Sequence, residues 1–204
     1  PDELSARMDQ LVRELRQQPA KDLFERYHDY VVELGQRLNK AVAPLQLEAE
    51  EIMVDHDRFE AFASSLVHVF TNALDHGLET ESERLAVGKA STGTISCRIW
   101  QEDASLLITI ADDGKGVDLE KLKQQGLEQG FGAEWTEEEW LCALFEEQIS
   151  VKEEADIYSG RGLGLPIVKR EVERLGGEVK VTSEWGKGTC FLFRIPLDDK
   201  TLQG

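Results

Sequence analysis

Leu4, Met8, Leu11, Val12 and Leu15 recur at helical spacing until Pro19 interrupts them. A second apolar stripe, Leu23, Tyr27, Tyr30, Val31, Leu34, Leu38 and Val42, predicts another amphipathic helix. From Leu45, "PLQLEAEEIMV" alternates as a strand does. Asp55 is then placed to cap a long helix running to His76, with Asp57 a second candidate cap. "TGTISCRIWQ" and "ASLLITIADDG" are alternating and β-branched, and the short "EDAS" between them makes a hairpin. A short helix is expected after Asp118. Then comes a long Gly- and acid-rich stretch from Gly126 to Tyr158, irregular except for the helix "TEEEWLCALF". Thr136 caps that helix and Glu139 completes a capping box. "LPIVKREVERLGG" reads as a helix ending at Gly176–Gly177, and "EVKVTSE" and "TCFLFRIPL" as a hairpin around "WGKG".

The order β-α-β-β-α-α-β-β implies an α+β fold, a two-layer sandwich with helices on one face of a mixed, mostly antiparallel sheet. N-terminal helices are added to it. Residues 1–20 form a helix that reads equally as a linker or dimer seam and as an element packed on the domain. Residues 21–199 read as one domain and 200–204 as a tail.

The helix ending at His76 is odd in one respect. In "HVFTNALDHGLE", His68, Asn72 and His76 recur every four residues amid Leu66, Val67, Val69, Phe70, Ala73 and Leu74. Side chains four apart share a helix face, so a polar stripe runs along an apolar rod. Burying an unsatisfied amide or imidazole costs roughly 1–3 kcal/mol. The stripe needs partners that the apolar positions around it do not supply.

Composition narrows the classes. With 41% hydrophobic residues the chain can bury a core, so it is no disordered acidic tail. Its 40 acidic against 23 basic residues leave a formal net charge of −17, which argues against nucleic acid or an anionic membrane as partner. Any polyanionic ligand must be held by local dipoles and a metal ion. Cys97, Cys142 and Cys190 form no Cys-x-x-Cys and read as buried reduced thiols of a cytosolic protein. No apolar run approaches the roughly 20 residues needed to cross a bilayer, so no direct membrane insertion is expected.

Glycine clusters at three further points: "DDGKG" closes a strand, "GRGLG" opens a helix and "GKGT" lies in a hairpin. A Gly-rich turn feeding a helix N-terminus aims N–H groups and the positive dipole end at an anion. Gly88-Lys89 and Gly186-Lys187 lack the other residues of a P-loop. "DDGKGVDL" has Leu119 where a dinucleotide fingerprint needs its third glycine, and its paired carboxylates would repel a pyrophosphate.

Taken in order, the Asn/His helix, Asp-x-Gly-x-Gly, Gly-x-Gly-x-Gly and Gly-x-Gly-Thr resemble the ATP-binding domain of histidine kinases, gyrase, Hsp90-type chaperones and mismatch-repair ATPases. The resemblance runs from about Asp22 to Leu197 and is strongest to chemotaxis-type histidine kinases, through "ERLAVGK", "ADDGKGVD" and "SGRGLGLPIVKREVERLGG" as well. It implies a Bergerat-type ATP-binding fold, with ATP and Mg2+ as cofactors. Asn72 would then be a magnesium ligand, with His76 near the metal and His68 facing the terminal phosphate; Asp75 would be a helix-end group. Asp112 would accept a hydrogen bond from the adenine amino group, which selects ATP over GTP, with Gly114 and Gly116 letting the base approach and Thr189 supporting its edge. Gly160, Gly162 and Gly164, with Leu163 and Leu165, would cover the phosphates. Lys152 and Arg161 are candidate phosphate contacts in a lid spanning Gly126 to Tyr158.

The resemblance further implies a bacterial, cytoplasmic two-component enzyme that phosphorylates a histidine on another domain or protein, with a response regulator downstream. His28 reads as a structural residue of a packed helix, and His56 as part of a strand-to-helix junction. A nucleotide-gated gyrase- or chaperone-type module, or a non-catalytic scaffold, is the alternative. The gyrase type needs a water-activating acid one turn before the Asn, where this chain has His68.

Overall fold

The computed structural model describes residues 3–132, 134–146 and 164–197. Lys152, Gly160, Arg161, Gly162 and Leu163 lie outside the described residues, as do residues 133 and 147–158 of the expected lid.

Helix α1 (Glu3–Arg16) runs into β1 (Gln17–Pro19), and α2 (Asp22–Glu25) and α3 (Tyr27–Arg37) follow. α1 ends at Arg16, and Pro19 closes the short strand that follows it. Asn39, at a φ of 56°, closes the α3 region, so Val42 belongs to a bridge with Gly93 instead of the helix. The strand expected from Leu45 is two strands, β2 (Gln46–Ala49) and β3 (Met53–Asp55), and β3 pairs with β1 in a separate two-stranded sheet. The long helix is a rod in three parts: α4 (His56–Ser65), α5 (Val67–Asn72) and a π-helical turn, Ala73–Gly77. A helix absent from the sequence reading, α6 (Glu81–Ala86), follows, capped by a box of Thr80 and Glu83. The hairpin of β4 (Ile95–Glu102) and β5 (Ser105–Asp112) turns at Asp103, whose φ is 53°. Then come α7 (Leu119–Glu128), α8 (Glu137–Cys142), a 3-10 turn, Ala143–Phe145, and α9 (Gly164–Arg174). The hairpin of β6 (Glu178–Glu184) and β7 (Gly188–Pro196) closes the fold.

The main sheet has the order β2-β4-β5-β7-β6, with β2–β4 parallel and every other pair antiparallel. Register aligns its inner face into rows. Ile99, Ile108, Phe193 and Val179 lie across from one another, and so do Cys97, Ile110, Phe191 and Val181. A one-residue slip would send every one of them to solvent. Helices cover this face: Phe59, Phe62, Leu66, Val69, Phe70, Val168 and Val172 are all buried against it. Tyr27 of α3 stacks on Phe70 at 4.3 Å and donates its hydroxyl to the Ala63 carbonyl, which locks α3 onto the rod.

Two expectations change here. His28 is exposed, so it is no packed structural histidine; its neighbour Tyr27 takes the buried position. The stretch from Gly126 is less irregular than expected, because Leu122, Trp140 and Ala143 form a small second core beside Trp135 and Phe131. Phe145 belongs to the main core, edge-on to Phe191. The cysteines are free thiols, but only Cys97 is buried; Cys142 and Cys190 are half-buried. Among the described residues no helix is long and apolar enough to cross a membrane.

Candidate nucleotide site

The rod begins where expected, with Asp55 accepting from the Arg58 N–H at 3.0 Å. Its apolar side goes to the core, and its other side carries His68 and Asn72, both half-buried, and then His76. Thr71, between them, is used by the fold, its hydroxyl bonded to Tyr30 and to the Val67 carbonyl. His68 and Asn72 are not: among the described residues neither side chain is engaged in a hydrogen bond. Burial holds the His68 imidazole below its ordinary pKa, so it is neutral at pH 7. His76 is 63% exposed, with Nε2 3.5 Å from Asp75 Oδ2.

The π turn gives this end of the rod its shape. Leu78 N–H reaches the Ala73 carbonyl, which leaves the Leu74 and Asp75 carbonyls without helical donors. Lys40, beyond α3, supplies both, with Nζ 2.7 Å from Leu74 O. The sequence held no signal for this role, because Lys40 lies 34 residues from Leu74.

Asp112 ends β5 against the same turn: a Cβ built on Gly77 would sit 3.2 Å from Asp112 Oδ1. The loop that follows is clasped from two sides. Lys115 N–H donates to Gly77 O at 2.9 Å, and Gly186 N–H donates to Lys115 O at 2.7 Å. Val117 N–H donates to Ser183 Oγ, which also meets Gly188 O and the Thr189 hydroxyl. Gly114 cannot be replaced here, since a Cβ would come within 2.2 Å of Gly77 O. Gly188, at a φ of 121°, would likewise drive a Cβ to 2.0 Å from Asp112 O. Gly116 lies against the Glu184 carbonyl.

Two adjacent carboxylates end up opposite in character. Burial pushes the Asp112 carboxyl up to about 6, helped by the Asp113 and Glu79 charges and opposed by the N–H groups of Gly114 and Thr189. Burial also works against Asp113, but the Thr94 N–H and the Arg84 guanidinium outweigh it and hold that carboxyl below its usual range. Among the described residues Asp112 has no cationic partner, which suits a group kept for an N–H donor that is not protein.

At the other end of the stripe, Gly164 opens α9 directly on His68; a Cβ there would come within 2.8 Å of the ring at Cγ and Nδ1. This sets the N-terminus of an eleven-residue helix beside the imidazole, with Leu165 buried behind it. Helix N-termini favour anions. The structure thus brings together His68, Asn72 and Gly164 at one end, and Asp112, Gly114, Gly116 and Thr189 at the other. Among the described residues no cluster of three or more His, Cys, Asp or Glu could cage a metal ion. Two surface hollows of about 650 and 340 Å³ flank α6, and neither is lined by His68, Asn72 or Asp112.

Residues 62–199 match the family of histidine kinase-, DNA gyrase B-, and HSP90-like ATPases. The chain belongs to this family. Over 204 residues this ATPase-family domain is 36% identical to the chemotaxis protein CheA of Treponema pallidum, covering 98% of the chain and 25% of that protein. It is 32% identical over 191 residues to the sensor histidine kinase CheAY of Helicobacter pylori, covering 91% of the chain and 24% of the relative. The chain thus spans about a quarter of the length of these curated relatives. Among solved structures, the histidine kinase domain of an Erythrobacter litoralis blue-light activated histidine kinase aligns with a TM-score of 0.53 at 20% identity, over 88% of this chain and 61% of that one. The catalytic domain of the histidine kinase ThkA aligns at a TM-score of 0.50 and 18% identity, over 89% of this chain and 94% of that one. Both likenesses are likenesses of fold.

Proposed function

We propose that this domain binds magnesium-ATP along the stripe and transfers the γ-phosphoryl to a histidine supplied by another domain or protein, as the catalytic module of a chemotaxis-type histidine kinase. The observation that carries this reading is that His68 and Asn72 sit half-buried with no side-chain hydrogen-bond partner among the described residues, between an anion-favouring helix end and a carboxylate that no described cation neutralises.

In this reading Asp112 accepts from the adenine amine. GTP would present a carbonyl there, so two acceptors would face each other. Asn72 offers its amide oxygen to magnesium, with His76 and Asp75 at the solvent edge of the same end. Magnesium, when bound, supplies positive charge where the triphosphate accumulates negative charge. His68 keeps its Nδ1 edge against Gly164, so Nε2 is the nitrogen farther from that contact. As a neutral imidazole it can orient a phosphate oxygen or hold a proton without adding charge. The N-terminus of α9 lies where the γ-phosphate would be aimed. Lys152 and Arg161 remain candidate phosphate contacts, with Gly160, Gly162 and Leu163 beside them. Catalysis is then chiefly positioning and electrostatics. A gyrase-like hydrolase is disfavoured because a neutral histidine, not an acid, stands one turn before Asn72. The acceptor histidine, a response regulator, a cytoplasmic setting and pairing through α1 complete the reading; the exposure of Met8, Leu11, Val12 and Leu15 supports the last.

The test is calorimetric titration of magnesium-ATP and magnesium-GTP into wild type, Asn72→Ala and Asp112→Asn. A lost charge-assisted hydrogen bond should weaken ATP roughly 10- to 150-fold in Asp112→Asn. Asn72→Ala should blunt the magnesium dependence. If wild type binds no nucleotide, or binds both equally, the reading fails.

A further inference from the structure

Arg84 is 1% exposed, a buried guanidinium on a helix of six residues. Taking a cation out of water costs several kcal/mol unless its partners are close and complete. Here they are. Nε donates to Ala90 O at 2.7 Å, and Nη1 and Nη2 meet the Asp113 carboxylate at 3.1 and 2.9 Å. Nη1 also reaches Glu79 Oε2 at 3.2 Å and Asp113 O at 3.3 Å. Lys89 works beside it, with Nζ 2.7 Å from Glu79 Oε1, 2.9 Å from Asp113 O and 2.7 Å from Gly114 O. Apart from Ala90 and the Glu79 they share, every one of these contacts lands on the two residues after Asp112.

A buried ion cluster is weak support for stability, since apolar residues often replace one without loss. What it supplies is geometry. The Asp113–Gly114 segment is gripped through both a side chain and carbonyls, all from the side of α6. Its N–H groups are taken elsewhere: Asp113 N–H donates to Thr94 O at 3.2 Å and Gly114 N–H to Asp112 Oδ1 at 2.9 Å, while the next N–H, that of Lys115, donates to Gly77 O. Glu79 lies two residues beyond Gly77, so the same cluster ties the turn to the end of the polar rod.

We propose that Arg84, assisted by Lys89, is the positioning residue for base recognition: it immobilises the Asp113–Gly114 turn and neutralises Asp113 and Glu79, so that Asp112 alone is presented as an unpaired carboxylate to the exocyclic amine of an adenine nucleotide. This rests on the ATP reading above. Among the described residues the half-buried Cys190 thiol also faces Asp112, and burial and the Asp112 charge both raise its pKa. Two unneutralised acids beside Asp112 would compete for the amine's place, and a loose turn would blur it.

The experiment is competitive titration of ATP against inosine triphosphate, which carries a carbonyl in place of the amine, with magnesium throughout. The chains compared are wild type, Arg84→Met, Arg84→Lys and Lys89→Met, each checked by thermal melting. Arg84→Met should cut the ATP-to-ITP affinity ratio by about 10-fold, with ITP affinity changed less than about 3-fold. Arg84→Lys should restore part of the ratio, because a point charge neutralises but does not clamp two oxygens. Lys89, whose side chain is 18% exposed, gives a milder variant should Arg84→Met not fold; Lys89→Met should lower the ratio about 3-fold. A folded Arg84→Met or Lys89→Met with the wild-type ratio, or one losing both nucleotides in equal proportion, overturns the proposal and leaves the ATP reading standing. Wild type without preference for ATP overturns both.

Discussion

Asp112 and Asp113 share a peptide bond and have opposite titration behaviour. Asp113 is charged because the fold surrounds it with donors, while Asp112 is held near 6 because burial strips its water and no cation among the described residues replaces it. For Asp112 the folded pKa lies above the ordinary 3.8, so the folded chain binds the extra proton between about 4 and about 6. Its contribution to stability is therefore full below pH 4 and declines as pH rises through 6. The difference in unfolding free energy, wild type minus Asp112→Asn, should fall by roughly 2–3 kcal/mol from pH 4 to 7. Denaturant titrations at several pH values measure it, and a flat difference would contradict the burial argument. A group that costs stability at neutral pH is what a ligand-facing carboxylate should be.

At the scale of elements, the π turn is the irregular piece, and Lys40 holds it in shape. Deleting that ammonium leaves two helix-end carbonyls short of donors and loosens the turn carrying Asp75 and His76. Lys40→Met should weaken magnesium-ATP about 3- to 10-fold by removing hydrogen bonds from a charged donor. The ATP-to-GTP ratio should stay as in wild type, since Asp112 is held by other elements. Loss of base selectivity in this variant, read by the same titration, would place Lys40 in the adenine end instead.

For the molecule as a whole, Arg58 ties the start of the rod to the end of β7. Its guanidinium donates to the carbonyls of Leu197 and Pro196, the latter at 2.8 Å, and more weakly to Leu175. One side chain thus joins α4, the α9 terminus and β7. Arg58→Met should cost roughly 1–3 kcal/mol by leaving carbonyls unpaired. That corresponds to a melting shift of roughly 3–10 °C for a chain this size. ATP affinity should change less than about 2-fold, because no nucleotide-facing residue is touched. A large affinity loss without a melting shift would mean the rod's position, not its anchoring, is what Arg58 controls.

What the sequence alone determined is whatever rests on local pattern. The strands of the sheet follow from alternation, the caps at Asp55 and Thr136 from short-range hydrogen bonding, and the polar stripe from four-residue spacing. The glycine turns and the family likeness follow in the same way, since each motif spans a few adjacent residues. Tertiary structure decided the rest. Periodicity carries no record of where Lys40 reaches, so its grip on a turn 34 residues away was invisible. Neither α6 nor a buried role for its Arg84 was expected from the sequence; the approach of the Asp113 loop supplies the partners that bury it. The π turn departs from the expected helix because its end must meet Gly114, which is a constraint of packing and not of propensity. His28 and Tyr27 could each have faced the core, and the stacking of Tyr27 on Phe70 settles which one does. Local chemistry names the groups that could serve a nucleotide, and long-range contact decides which of them the fold leaves free.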